Sequence, residues 1–335
     1  MSKASIYTIA QKAGVSPATV SRALNHPEQV SPETRTRVLQ AIEEHAFIPS
    51  VLAKRNDTIG IVYDWREGIF RNYYFSRFLN GVSAELQKFN YNMLFFSQDR
   101  FTLPQEWRTF LHQHHVGGVI IMTPPRDDPR IQSLLALGRN VVVLGSRIEG
   151  NVHFVDCENV QSTRTAMQYF FDLGHRKLGF IGGDLTQVDH AERFEAYRGF
   201  LTEHGLFREE YVHITNDIPS FLSGQGGFEG VVKLLKLPSP PTAIFVASGN
   251  CLLGVLRGIQ SMGKRVPEDV SIICFDDLEE IAPNVTSIRQ PIERMGRVAA
   301  EILIRQMIKG DRITKPEQKI FPCQLILRAS VKSLL

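Results

Sequence analysis

The run Ala13-Gly14-Val15-Ser16-Pro17-Ala18-Thr19-Val20-Ser21-Arg22 constrains this chain more than any other stretch. Ahead of it, Ile6, Ile9, Ala10 and Ala13 recur at helical spacing and form the apolar stripe of a short helix. Gly14 follows where a helix end takes a left-handed residue, and Val15 offers an apolar plug for the turn. Ser16 is a good N-cap, and Pro17 occupies the first helical position, where a missing N–H costs nothing. A second short helix is predicted to about Asn25, with Val20 and Leu24 facing inward. Two short helices joined by a tight glycine-containing turn make a helix-turn-helix, the arrangement that lays its second helix in the DNA major groove. A plain helical hairpin can carry the same turn. The exposed start of the second helix decides between them: Ala18, Thr19, Ser21 and Arg22 are small or hydrogen-bonding, as a surface against phosphates and base edges should be.

Charge placement agrees. Residues 1–55 hold seven Lys/Arg and four Asp/Glu, and the rest of the chain holds 31 of each, so the whole net charge of +3 lies at this end. Ser31-Pro32-Glu33-Thr34 then reads as an N-cap and first turn, opening a third helix to about His45 with Val38, Leu39 and Ile42 on one face. A three-helix unit of residues 1–48 is small for independent stability and fits a headpiece on something larger.

These residues resemble the headpiece of the lactose-repressor (LacI/GalR) family of bacterial transcription regulators. The resemblance is carried by Ile6-Tyr7-Thr8-Ile9-Ala10, Ala13-Gly14-Val15-Ser16, Thr19-Val20-Ser21-Arg22-Ala23-Leu24-Asn25, Val30-Ser31-Pro32-Glu33-Thr34-Arg35 and Phe47-Ile48-Pro49. It implies DNA contacts from Thr8, Ser16, Pro17, Ala18, Thr19, Ser21, Arg22 and Asn25, with Arg22 as guanine reader and Pro17 supplying packing alone. In the family, the linker that corresponds to residues 49–58 becomes a hinge helix on DNA and wedges a leucine into the minor groove. Here the linker is about five residues shorter, Ala53 keeps its place, and Asn56 stands where the leucine is expected; two readings stay open, Leu52 as the substitute wedge or a hinge that does not intercalate, and Lys54 and Arg55 remain for phosphates.

From residue 59 short apolar runs alternate with amphipathic stretches. Ile59–Tyr63, Met93–Ser97, Val119–Met122, Val141–Gly145, Val152–Val155, Leu178–Ile181, Ala243–Ala247 and Val270–Phe275 read as strands, with helices such as Phe78–Phe89, Arg164–Asp172 and Arg193–His204 between them. The expected fold is an all-α headpiece plus an α/β core of two doubly wound parallel-sheet subdomains, as in periplasmic sugar-binding proteins. Crossover points are expected at Val155-Asp156 and Arg289-Gln290. The N-subdomain is expected at about 59–156 and 290–320, and the C-subdomain at about 157–289 and 321–335. Leu173-Gly174-His175-Arg176-Lys177-Leu178, Tyr197-Arg198-Gly199-Phe200 and Val266-Pro267-Glu268-Asp269-Val270-Ser271-Ile272 extend the resemblance through the core.

In such folds a ligand lies in the cleft beyond the carboxyl ends of the strands. The strand ends and the residues just after them supply Asp64, Trp65, Tyr74, Phe75, Ser146, Arg147, Asp189, Arg193, Asn250, Asp276 and Gln290, a set of donors, acceptors and aromatic faces suited to a polyol. The resemblance implies that Arg193 and Asp276 lead these effector contacts and that Tyr74 and Phe75 line the pocket. It also implies a stacking residue at Phe221, with Leu222 competing by one position, and an Asn-Asp pair of which this chain keeps Asn250 and has Cys251 in place of the acid. Each residue also has an ordinary reading: Arg193 as a salt-bridge partner, Asp276 as a helix cap.

Other signals are weak. His112-Gln113-His114-His115 lacks a carboxylate or cysteine to complete a metal set and reads as a solvated helix end. Gly224-Gln225-Gly226-Gly227 has Glu229 where a dinucleotide loop needs its third glycine, and reads as a turn. Asn284-Val285-Thr286 fits the glycosylation pattern, which has no use in a bacterial cytosol. No cofactor or metal is implied, and no nucleophile–base pair supports an enzyme. Cys157, Cys251, Cys274 and Cys323 lie far apart without a CxxC pair, which reads as buried free thiols. No apolar run is long enough for a membrane span, and no signal peptide precedes the headpiece, so a cytoplasmic protein is expected rather than an exported solute-binding protein. The expected function is a ligand-responsive repressor that reads a near-palindromic operator as a homodimer, with a sugar-like effector in the cleft. A phosphoprotein corepressor is the alternative within that class. No leucine heptad follows Arg328, so no tetramer is expected.

Overall fold

The computed structural model describes residues 5–25, 27–44, 57–63, 72–97, 104–215, 224–309 and 315–335. The headpiece is built from α1 (Ile6–Ala13), α2 (Pro17–Asn25) and α3 (Pro32–Glu44). Local chemistry sets its boundaries. Ser5 and Thr8 form a reciprocal capping box on α1, and Gly14 ends that helix at φ 65°, donating its N–H to the carbonyls of Ala10 and Gln11. Ser16 Oγ accepts from the Thr19 N–H at 3.1 Å and Ser31 Oγ from the Thr34 N–H at 3.3 Å, capping α2 and α3. Ile9, Ala10, Ala13, Val20, Ala23, Val38 and Ala41 form the core, with Val15, Leu24 and Ile42 packed against it. Leu39, expected inside, is 46% exposed. The inward face of α3 runs through residues 38, 41 and 42, and Leu39 lies a quarter-turn away from it.

Two six-stranded sheets form the rest. The N-lobe comprises β1 (Thr58–Tyr63), α4 (Tyr73–Phe89), β2 (Asn92–Ser97), α5 (Pro104–Gln113), β3 (Val116–Met122), α6 (Pro129–Ala136), β4 (Asn140–Leu144) and β5 (His153–Cys157). The chain then crosses to the C-lobe: α7 (Asn159–Asp172), β6 (Leu178–Gly182), α8 (Val188–Glu203), β7 (Val212–Ile214), α9 (Gln225–Leu235), β8 (Ala243–Val246), α10 (Gly249–Ser261), β9 (Ser271–Phe275) and β10 (Thr286–Arg289). It returns for α11 (Ile292–Lys309) and β11 (Gln318–Phe321), then crosses again to β12 (Gln324–Ile326). The strand orders are β2-β1-β3-β4-β5-β11 and β7-β6-β8-β9-β10-β12. Every pairing is parallel except β10 with β12. Helices cover both faces of each sheet, which is why the central strands β3, β4, β6, β8 and β9 are continuous buried apolar runs.

Three differences from the sequence reading bear on the site. Helices α4, α7 and α8 each begin about five residues before their expected start; the first turns of α7 and α8 are rich in polar residues and carry no apolar period, and that of α4 is the aromatic run Tyr73-Tyr74-Phe75. Strands β7, β10, β11 and β12 were not expected; all four are short, β7, β11 and β12 lie at sheet edges, and β11 is exposed over Gln318, Lys319 and Ile320. Gly224 to Gly227 is not a free-standing turn. It caps and opens α9, where an added Cβ on Gly227 would lie 2.1 Å from the Cys251 carbonyl, so the glycines let α9 and α10 touch backbone to backbone.

Candidate functional site

The first site is the exposed face of the headpiece. Ser16, Ala18 and Arg22 are exposed on or just before α2, and Pro17, Thr19 and Ser21 are half-buried beside them. The Ser16 and Thr19 hydroxyls lie 2.9 Å apart, so the cap that starts the helix also fixes two of its polar surface groups. Thr8 is half-buried at the start of α1, where its hydroxyl accepts from the Ser5 N–H at 3.3 Å. Beside it Tyr7 is 72% exposed, an aromatic on the same surface that sequence reasoning did not single out. The Asn25 side chain and Leu52, Ala53 and Lys54 lie outside the described residues.

The second site is the cleft between the lobes. The C-lobe supplies a buried charged floor. Arg193, on α8, is 4% exposed. Its Nε donates to Asn159 Oδ1 at 2.9 Å, its Nη1 donates to the Ala247 carbonyl at 2.9 Å, and its Nη2 lies 3.4 Å from Asp189 Oδ2. The guanidinium also stacks 3.7 Å from the Phe275 ring centre. Burial opposes its charge, but Asp189, Asp276 and Asp156 more than offset that and raise its pKa. Asp276 follows β9 at φ 98°, a left-handed strained conformation for a residue with a side chain. Its Oδ2 accepts from the Gly249 N–H at 3.0 Å, at the first turn of α10, and its Oδ1 accepts from Gln290 Nε2 at 2.5 Å. Burial raises the Asp276 pKa, and Arg193 works against that rise. Both ordinary readings therefore apply: Arg193 pairs with an acid, and Asp276 caps a helix. Asp189 Oδ1 is buried and has no hydrogen-bond donor among the described residues.

The N-lobe contributes less charge. Tyr74 is half-buried, and its hydroxyl would lie 2.7 Å from any Cβ added to Gly145. Burial, together with nearby Cys157, Asp156 and Asp189, raises its pKa well above the tyrosine norm. Phe75, expected to line the pocket, is instead fully buried in the N-lobe core, stacked 5.2 Å from the Tyr63 ring and 6.4 Å from that of Phe95. Position 74 points along the cleft and position 75 turns inward, as neighbours on a helix must. Arg147 links the two lobes: its Nε lies 3.5 Å from Asp156 Oδ2 on β5 and 3.6 Å from Glu192 Oε1 on α8, and its Nη2 donates to Glu158 Oε2 in the first passage at 3.3 Å. Beside it a cavity of about 640 Å³ takes walls from both lobes, including Arg126, Asp128, Arg147, Val188 and Glu192. Neither Arg193 nor Asp276 lines it, so this cavity flanks the charged floor. Phe221, Asp64 and Trp65 lie outside the described residues.

The lips of the cleft also touch. Asn72 Nδ2 donates to Asn250 Oδ1 at 2.8 Å, Arg77 pairs with Glu280 at 2.8 Å, and Pro125 bridges to Gln187. Asn72, Asn159 and Glu192 were not anticipated. Asn159 is fully buried and holds both Arg193 and Glu192, the latter at 2.9 Å. The one available signal was their position beside helix starts, which only the tertiary fold turns into a site. His112 and His114 are exposed, and no cluster among the described residues could hold a metal ion.

Residues 5–50 match the family described as bacterial regulatory proteins, lacI family, and residues 167–331 match the periplasmic binding protein-like domain. The chain is 30% identical to the HTH-type transcriptional regulator CelR of Thermobifida fusca over 96% of each chain. It is 31% identical to catabolite control protein A of Priestia megaterium over 91% of this chain and 92% of the relative. Among solved structures, a CelR–cellobiose complex superposes with a TM-score of 0.72 at 30% identity, covering 98% of this chain and all of the other. A lac repressor dimer bound to operator and an anti-inducer superposes at 0.76 over 99% of this chain and all of the other; at 23% identity it shows the shared fold. No helix among the described residues is long and apolar enough to cross a membrane. The chain belongs to the LacI family of bacterial regulatory proteins, DNA-binding transcription regulators rather than enzymes.

Proposed function

We propose that this protein is a repressor of the bacterial cytosol that binds a near-palindromic operator as a homodimer and takes a sugar-like effector in its cleft. The observation that carries the effector reading is Asp189 Oδ1, a buried carboxylate oxygen without a donor among the described residues, held next to the Arg193 guanidinium. A buried acceptor of this kind is costly unless a donor reaches it. A ligand hydroxyl supplies that donor, and the same hydroxyl's oxygen can accept from a guanidinium, so a neutral polyol suits the pair better than an anion or a cation does. Tyr74 and Arg147 face the floor from the other lobe, which couples ligand contact to the angle between lobes. A change in that angle alters the spacing of the two headpieces and hence operator affinity. Pro17, Ala18, Thr19, Ser21 and Arg22 are the proposed base-facing and phosphate-facing residues, with Leu52, Ala53 and Lys54 of the linker against the minor groove. Cellobiose, bound in the CelR complex, is the first effector to try.

The test is selection of random duplexes by the purified protein across salt concentrations, followed by a thermal-shift screen of mono- and disaccharides. A palindrome with a steep salt slope, together with a sugar that raises the unfolding temperature, is the expected result. A protein that recovers no motif, or that no neutral sugar stabilises, defeats the corresponding half of the proposal.

A further inference from the structure

Among the buried polar atoms without a hydrogen-bond partner in the described residues, two flank the cleft: Asp189 Oδ1 on the floor and Arg147 Nε of the N-lobe. A line of contacts joins them. Asp189 pairs with Arg193, and Arg193 Nε donates to Asn159 Oδ1 at 2.9 Å. The other end of the Asn159 amide donates to Glu192 Oε2 at 2.9 Å and, more weakly, to Asp156 Oδ2 at 3.5 Å. Glu192 Oε1 then faces Arg147 Nε at 3.6 Å. Asp156, of Arg147's own lobe, faces the same Nε at 3.5 Å. This donor is thus suspended between one carboxylate of each lobe, and both gaps exceed the roughly 2.7–2.9 Å of a charge-assisted hydrogen bond. Arg147 Nη2 is anchored on the Cys157 carbonyl and on Glu158, while Arg147 and Glu192 both line the cavity of about 640 Å³, which leaves the guanidinium space to pivot.

We propose that Asn159 and Glu192 are positioning residues for the effector response: they hold Arg193 of the floor in register with Arg147 of the opposite lobe, so that a bound ligand draws Arg147 from Asp156 onto Glu192 and closes the cleft. The nature of the ligand rests on the function proposed above; the link between the lobes does not. A ligand hydroxyl that donates to Asp189 and accepts from Arg193 fixes the guanidinium. The Nε bond passes that position to the Asn159 amide, which is fully buried, and the amide passes it to Glu192. The residue types suit the task. Glu192 must accept twice, from Asn159 on Oε2 and from Arg147 on Oε1, which a carboxylate does and an amide with its single oxygen does not. Asn159 must accept at one end and donate at the other, which an amide does and a carboxylate does not. The Arg147 and Glu192 side chains are 28% and 17% exposed, so completing their pair biases the lobes more than a fully exposed ion pair would.

The experiment compares full-length N159D, E192Q and the N159D/E192Q double variant with the unaltered protein. Solution scattering is recorded without sugar, and thermal-shift titrations use cellobiose and the same mono- and disaccharide panel. N159D sets a carboxylate against Glu192, and E192Q leaves one acceptor where two are needed. Together they reverse the first bond: the amide introduced at 192 donates to the carboxylate introduced at 159, and its oxygen still accepts from Arg147. Each single variant is expected to scatter as a more extended particle and to bind the stabilising sugar about ten-fold more weakly. The double variant is expected to recover the unaltered profile and to bind within about three-fold of the unaltered protein. A double variant no closer to the unaltered protein than its weaker single overturns the proposal. So do single variants whose urea midpoints fall while scattering and sugar affinity stay unchanged, the signature of a purely structural pair. Where N159D folds poorly, E192Q and E192A decide: both should extend the particle, and an unchanged profile in both overturns the proposal. If no sugar stabilises the unaltered protein, the effector reading fails by itself, and the sugar-free profiles still decide whether the pair links the lobes.

Discussion

Arg22 and Arg193 put the same guanidinium to opposite structural uses. Arg22 stands exposed on α2, while its neighbours Val20 and Ala23 carry the packing of the headpiece. Arg193 is itself part of the interior, held by Asn159, the Ala247 carbonyl, Asp189 and the face of Phe275. In the headpiece the proposed DNA-facing groups lie outside the core and can be changed without touching it. In the cleft the proposed ligand-facing groups lie inside the core, where Asp276 also holds the start of α10 and Arg193 the end of β8.

Arg193→Ala should give the largest effect. It strips the countercharge from two buried carboxylates, Asp189 and Asp276, and should cost the core about 3–5 kcal/mol in urea unfolding together with any sugar-dependent thermal shift. A core of undiminished stability would break the contrast between the sites. Arg22→Ala should instead cost about 1–3 kcal/mol of binding on the selected duplex and relax sequence preference, with unfolding changed by less than about 0.5 kcal/mol. Equal loss on random duplexes would reassign Arg22 from bases to phosphates.

The buried carboxylates also make the core sensitive to pH in a way the headpiece is not. Asp156 is 1% exposed, and burial pushes its pKa up to about 7, with the Cys157 N–H opposing and Glu192 and Asp189 reinforcing the rise. A carboxyl raised in the fold binds its proton more tightly there than in the unfolded chain. Its contribution is therefore fully present below the ordinary carboxylate range and is lost as pH rises through about 7. Relative to Asp156→Asn, the protein should lose on the order of 1 kcal/mol between pH 6 and pH 8, read from urea midpoints. Parallel pH profiles for the two proteins would show that Asp156 stays ionised.

The same contrast explains what the sequence made legible. The headpiece is specified by signals that lie within four residues of one another, such as the cap at Ser16 with Thr19 and the stop at Gly14, so a local reading finds its helices and its exposed face. The cleft is specified by contacts such as Arg193 with Asn159, Asn72 with Asn250 and Cys157 with Gln290, between residues far apart in the chain. Arg193, Asp189, Asp276 and Gln290 could be nominated from strand ends and family resemblance, but Asn72, Asn159 and Glu192 could not. Phe75 went astray because an aromatic residue next to a cleft position looks the same in sequence whether it faces ligand or core. Leu39 went astray because the period of α3 left two adjacent candidates and only packing against Ile9 and Val20 chose between their faces.

Asn250→Ala gives the smallest expected effect and the finest test. Asn250 is exposed, and its side chain accepts a bond across the lips from Asn72 at 2.8 Å, so its removal resembles a surface change. Asn72 has a second duty, because its Oδ1 accepts from the Phe75 N–H and caps α4. Asn250→Ala should therefore loosen lobe contact by about 0.5–1 kcal/mol, a two- to five-fold change in the affinity of any cleft ligand, and leave unfolding near that of the unaltered protein. Asn72→Ala should show the same loosening plus about 1 kcal/mol of lost stability from the missing cap. If Asn250→Ala proves the more destabilising of the two, the lip bond belongs to the folded core of the C-lobe and the division between an exposed and an embedded site must be redrawn at the mouth of the cleft.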